Sequence, residues 1–117
     1  MKDDRVYLGS FSGWSDGWGT VLGDFRGPKD LKEPTKVWAE YNNEGYDGSA
    51  LVVFKQGRKW FSNFGSHCSC YGLEESGWGP EEFTPKEYWA AKEAGKELFS
   101  YYSIDIKAFD EWFKART

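Results

Sequence analysis

The only histidine and the only two cysteines of this 117-residue chain fall within four consecutive positions, in the stretch GSHCSCYG at 65–72. Imidazole and thiolate are the preferred ligands of zinc, so His67, Cys68 and Cys70 form a candidate metal set. Their spacing argues against it. Zinc ligand pairs are typically separated by two to four residues, whereas only Ser69 stands between the cysteines. On a strand the two thiols share one face and His67 takes the other. Only a tight turn gathers all three, and the fourth ligand then has to be a carboxylate such as Glu74 or Glu75, or come from another subunit. A Cys–His nucleophile fares worse, because catalytic partners meet in space and neighbouring strand residues point apart. A Cys68–Cys70 disulfide is disfavoured too, since residues i and i+2 of a strand lie about 6.5–7 Å apart, at the limit of a bridge. The leading expectation is a core strand: the thiols face inward, and His67 and Ser69 hydrogen-bond or meet a ligand on the other side. No cofactor is expected, and zinc on His67, Cys68 and Cys70 is the alternative.

Other stretches are weaker as chemistry. NNEGYDGS (42–49) suggests a calcium loop, but counted from Asn43 the third position is Gly45 and the twelfth is Phe54, where ligands are needed. The glycine run from Gly9 to Gly27 lacks the lysine of a phosphate loop. It does carry Trp14, Asp16 and Trp18, and loop tryptophans are either partner anchors or covers folded back over a core. The acidic turn LEESGWGPEEF (73–83) sets Glu74, Glu75 and Trp78 among glycines, with Glu81 and Glu82 placed to favour the N-terminus of a following helix. The carboxylates show no spacing diagnostic of acid–base work, so no pattern supports an enzyme.

The elements that must position these residues follow from the rest of the chain. Residues 5–12 contain an alternating stretch, WSDGWG (14–19) reads as a turn-rich loop, and Thr20–Leu22 as a short apolar piece. Residues 26–36 hold two prolines among charges and read as an exposed connection. KVWAEY (36–41), SALVVFK (49–55) and KWFSNF (59–64) are β-branched or aromatic runs separated by turn chemistry, with Gly48 and Gly57 suited to positive φ. They predict an antiparallel meander with SHCSCY as its fourth segment. Thr84, Pro85 and Glu87 make a capping box with proline at the first helical position. That helix carries a stripe of Tyr88, Trp89, Ala91, Gly95 and Leu98, with Gly95 as a weak interior point. A second helix from about Asp105 to Ala115 places Ile106, Phe109, Trp112 and Phe113 together. The expected fold is α+β in a single domain, 1–117: a small antiparallel sheet of four to five strands, then two C-terminal helices packed on one face.

Composition narrows the partners. Aromatic residues make up 20% of the chain, although mean hydropathy is −0.73. Tyrosine and tryptophan serve both cores and interfaces. The net charge of −4 comes without a basic stripe, which disfavours direct nucleic-acid binding. No run of 18 apolar residues or signal-type segment is present, giving an expectation of a cytoplasmic protein with reduced thiols and no membrane partner.

Residues 46–82, YDGSALVVFKQGRKWFSNFGSHCSCYGLEESGWGPEE, resemble a family of short, uncharacterised bacterial and phage proteins. The likeness rests on a Y-x-G strand, then G-S-H-C-S-C-Y-G-L-E, then W-x-P-E-E before a helix. It covers roughly a third of the chain, and the aromatic-rich C-terminus lies outside it. The resemblance implies bacterial or phage origin and no mechanism. By analogy with anti-defence inhibitors, it suggests a binding protein directed at a host protein. Separately from the resemblance, a small-ligand pocket between sheet and helices, lined by aromatics and reached by His67, is a further alternative.

Overall fold

The computed structural model describes residues 4–12, 17–44, 47–67, 77–96, 98 and 106–117. In chain order they form β1 (Arg5–Gly9), α1 (Gly17–Phe25), β2 (Lys36–Glu44), β3 (Asp47–Gln56), β4 (Lys59–His67), β5 (Glu81–Phe83), α2 (Pro85–Glu93) and α3 (Ile106–Lys114). The five strands make one sheet in the order β1-β2-β3-β4-β5. β1 runs parallel to β2, and every other pair is antiparallel. The sheet is therefore mixed, where an antiparallel one was expected. The α+β class and the two C-terminal helices on one face are as the sequence predicts.

The parallel pair exists because a helix intervenes. Parallel neighbours need a crossover, and α1 supplies it. Its Trp18, Val21, Leu22 and Phe25 are all buried. They recur at i, i+3, i+4 and i+7, the stripe of an amphipathic helix. The turn-rich reading of WSDGWG is corrected at Gly17–Gly19, which open α1, and Thr20–Leu22 lie inside it. Gly19 and Gly23 each cost about 1 kcal/mol in a helix. Burying four large apolar side chains, at about 1.5–3 kcal/mol each, outweighs that. α1 ends in a Schellman turn, with Gly27 N–H donating to the Leu22 carbonyl at 2.7 Å and Arg26 N–H to that of Gly23 at 3.3 Å.

Alternation along the strands divides the core in two. Val37, Ala39 and Tyr41 of β2 and Ala50, Val52 and Phe54 of β3 face α1. Trp38, Leu51 and Val53 face the other way, toward Tyr88 of α2 and Phe109, Trp112 and Phe113 of α3. Both layers are aromatic: Trp38 meets Phe109 edge-on at 5.7 Å, and Trp60 meets Phe113 edge-on at 5.0 Å.

The meander runs longer than its apolar cores. The tract expected as a turn, NNEGYDG, is taken up through Glu44 and again from Asp47, and Gly48 pairs within β3 rather than turning. Gly57 does adopt φ 65 between β3 and β4. β4 extends through Ser66 and His67, so SHCSCY is not a separate strand at its start, and 68–71 lie outside the described residues. The strand after β4 is the short β5, in which Glu81 and Glu82 stand; Glu82 pairs with Lys59 at 3.6 Å.

The N-cap is formed, and the Thr84 hydroxyl also donates to the Glu87 carboxylate at 3.1 Å in place of the reciprocal backbone bond of a full capping box. Thr84 Oγ1 accepts from the Glu87 N–H at 3.0 Å, with Pro85 at the first helical position. Gly95 is not inside this helix. At φ 74 it follows the C-cap Ala94, and Lys96 N–H donates to the Ala91 carbonyl at 2.8 Å. That is a second Schellman turn, which ends the helix before Leu98. α2 and α3 lie antiparallel and are clasped by Asp110, which takes the buried Tyr88 hydroxyl at 2.6 Å on one oxygen and the Lys92 ammonium on the other.

Candidate binding surface

The end of the sheet where β1 finishes and β4 leaves is built by register. Gly9, Tyr41, Ala50 and Gly65 form one cross-strand row, and Asn43, Gly48 and His67 form another beyond it. Gly9 has φ 64, and a Cβ there would stand 2.1 Å from the Tyr41 carbonyl oxygen. Only glycine fits this close approach. The chain then turns off β1 with Ser10 N–H donating to that same oxygen at 2.9 Å, and Phe11 drops into the core against Tyr41 at 5.2 Å. Gly17, opening α1, lies against the Tyr7 ring. The Tyr7 hydroxyl in turn donates to Glu33 at 2.6 Å.

On the same face an amide clamp holds the residues around Trp78. Asn63 is 4% exposed. Its Oδ1 accepts from Gly79 N–H at 2.9 Å, and its Nδ2 donates to the Gly77 carbonyl at 3.3 Å. A buried amide satisfied at both ends fixes the backbone it grips. Trp78, between the two gripped glycines, stacks on Phe54 at 5.8 Å and 13° and meets Trp18 edge-on at 5.9 Å.

Of the three candidate tryptophan anchors, Trp18 is therefore a core residue and Trp78 packs against the core. Trp18 is 3% exposed, and its indole N–H donates to the Leu31 carbonyl at 2.9 Å. This is the fold-back arrangement, and it leaves Trp18 no surface to offer a partner. Trp78 is half-buried in the same aromatic group. Trp14, Asp16, Cys68, Cys70, Glu74 and Glu75 lie outside the described residues, and of His67 only the backbone is described, as the last residue of β4. Among the described residues no three His, Cys, Asp or Glu side chains group as metal ligands do.

A polar feature on the α2/α3 face escaped the sequence reading. Glu40 follows Trp38 by two in β2 and is 6% exposed. It pairs across to Leu8 and Leu51, so a carboxylate interrupts an apolar row. In the next row toward the sheet end, Asn42, Ser49 and Ser66 stand side by side. The signal was a charged residue at an inward parity of the run KVWAEY. A buried carboxylate is costly unless engaged, and Glu40 has interactions within the chain.

No family model matches the chain, and comparison with curated proteins and with solved structures gives no match either. No helix among the described residues is long and apolar enough to cross a membrane.

Proposed function

We propose that this protein acts by binding another protein, using the two segments that carry Trp14 and Asp16 and that carry Glu74 and Glu75. The observation that supports this is the placement of their flanks. The chain enters 13–16 at Ser12, two residues beyond the Ser10–Tyr41 hydrogen bond, and leaves at Gly17 on the Tyr7 ring. It enters 68–76 at His67, the end of β4, and leaves at Gly77, gripped by Asn63 on the α1 face. The described flanks of these two stretches, which carry Trp14 and Tyr71, are thus set by one sheet, as the ends of binding loops on a scaffold are. The resemblance to bacterial and phage proteins adds the reading that the partner is a host protein and the effect inhibition.

The structure sorts the experiment. Trp14→Ala and the pair Glu74→Ala/Glu75→Ala are expected to keep the melting temperature within a few degrees of wild type and to abolish cross-linked capture of the partner from bacterial lysate. Retention of capture by both variants would overturn the reading. The zinc alternative is decided separately, by elemental analysis of untagged protein beside Cys70→Ser: about one zinc per chain, lost in the variant, would establish a ligand cluster.

A further inference from the structure

We infer a second site, at the opposite end of the sheet, for a linear chain of phosphates such as tripolyphosphate. It is independent of the protein-binding reading. Lysines that are scattered in the sequence are gathered there by register. Lys36 opens β2 and stands directly across from Lys55 of β3, which in turn stands across from Trp60 of β4. Like charges directly opposite on neighbouring strands, with Cβ atoms about 4.5–5.5 Å apart, destabilise a sheet. Alternation puts both lysines on the face of Trp38 and Val53, and both are half-buried. Lys55 is held in place, with its Nζ 5.9 Å from the centre of the Trp60 ring. Arg58, exposed in the turn between β3 and β4, adds a third cation.

Neighbouring carboxylates do not cancel the three. None of Lys36, Lys55 and Arg58 makes an ion pair with a described residue. Asp4, whose carbonyl takes the Val37 N–H beside Lys36, gives its carboxylate to Arg116 at 2.9 Å. Glu82 is taken by Lys59 at 3.6 Å, and Lys59, next to Trp60, points to the α1 face. The Lys114 ammonium and the chain end at Thr117 lie on the α2 side of α3, against Pro85 and Trp89. Two opposed ammoniums and a nearby guanidinium are left, and only an anion with several charges along its length relieves all three. The ring beside them, Trp60, is 3% exposed and leaves no face for a base to stack on. That favours a bare phosphate chain over a nucleic acid. The cations are wet, so the expected Kd is on the order of 1 mM at low salt.

The competing account is a solvated lysine pair that only keeps the sheet end soluble. The test is thermal melting of the full chain, without divalent cations, in sodium tripolyphosphate and in sodium sulfate of the same ionic strength. Sulfate controls for the general stabilisation by excluded anions. At about ten times its Kd, tripolyphosphate is expected to raise the midpoint by about 4–8 °C beyond sulfate. Lys36→Gln is expected to raise the midpoint in plain buffer by about 1–4 °C, by relieving the opposed charges, and to lose most of the response to tripolyphosphate. Lys59→Gln, on the other face, is expected to keep that response. ATP distinguishes the sources: an equal rise assigns a triphosphate whatever carries it, and a smaller one assigns the free chain. No rise beyond sulfate, a rise that survives Lys36→Gln, or one lost equally in Lys59→Gln would each overturn the site. So would a Lys36→Gln midpoint no higher than wild type in plain buffer, or binding of oligodeoxythymidine without a response to tripolyphosphate. None of these outcomes bears on capture through the other end of the sheet.

Discussion

Asn63 uses both ends of its side-chain amide on the backbone either side of Trp78, and a single residue thereby decides where a long stretch of chain rejoins the fold. Replacing it with alanine removes two part-buried hydrogen bonds, to the Gly77 carbonyl and the Gly79 N–H, each worth about 0.5–1.5 kcal/mol. Asn63→Ala is therefore expected to destabilise by about 1–3 kcal/mol in urea unfolding. Trp78→Ala, which removes a half-buried indole from Phe54 and Trp18, is expected to cost about 3 kcal/mol. The two losses should be less than additive, because both release the same turn, and full additivity would show that the clamp and the indole act independently. None of this was legible in the sequence. Asn63 reads there as one polar residue of the run KWFSNF, and Trp78 as a residue of an acidic turn between two glycines. Burial at either position is set by contacts from residues 14 or more positions away, which no local pattern encodes. The local device at Thr84, Pro85 and Glu87, whose partners sit within four residues, was legible.

At the level of elements, the strands announced themselves and one helix did not. β2, β3 and β4 are dense in β-branched and aromatic residues, so their cores were found, while the polar end at Asn42–Glu44 was read as a turn and Ser66–His67 were assigned to a separate strand. α1 was masked by its own glycines: their poor helix propensity made WSDGWG read as a turn-rich loop, and the i, i+3, i+4, i+7 stripe of Trp18, Val21, Leu22 and Phe25 went unread. Tertiary burial outweighs that propensity, so α1 should hold unused stability. Nothing stands within 4 Å of the position a Cβ would take at Gly23, in the last turn of α1 and exposed. Gly23→Ala is therefore expected to stabilise by about 0.8–1 kcal/mol. Arg26 presents the reverse case, a residue with a Cβ at φ 56 where the Schellman turn favours glycine. Arg26→Gly is expected to stabilise by up to about 1 kcal/mol through relief of the left-handed strain. Thermal melts of the two variants check both, and a lowered midpoint for either would mean that the residue makes contacts the turn geometry does not require.

Across the whole molecule, β2 and β3 contribute alternate residues to both aromatic layers, so neither layer exists without the sheet that builds the other. The ends of the chain reinforce this: Arg116, after α3, binds Asp4, just before β1, and lies over the Trp112 ring at 4.8 Å. A fold so constructed should unfold as one unit. Tryptophan supplies a probe for each side, with Trp18 and Trp78 among the α1 layer and Trp38, Trp60 and Trp112 in the other. With 5-fluorotryptophan incorporated, the ¹⁹F resonances of both sets are expected to lose intensity at one common urea midpoint. Phe25→Ala empties part of the α1 layer only, since Phe25 is fully buried there. At a cost of about 3–5 kcal/mol it should move both sets of resonances together. If Trp38, Trp60 and Trp112 kept the wild-type midpoint in that variant, the two layers would be separately stable units. The scaffold proposed for the two binding segments would then be the α1 side alone.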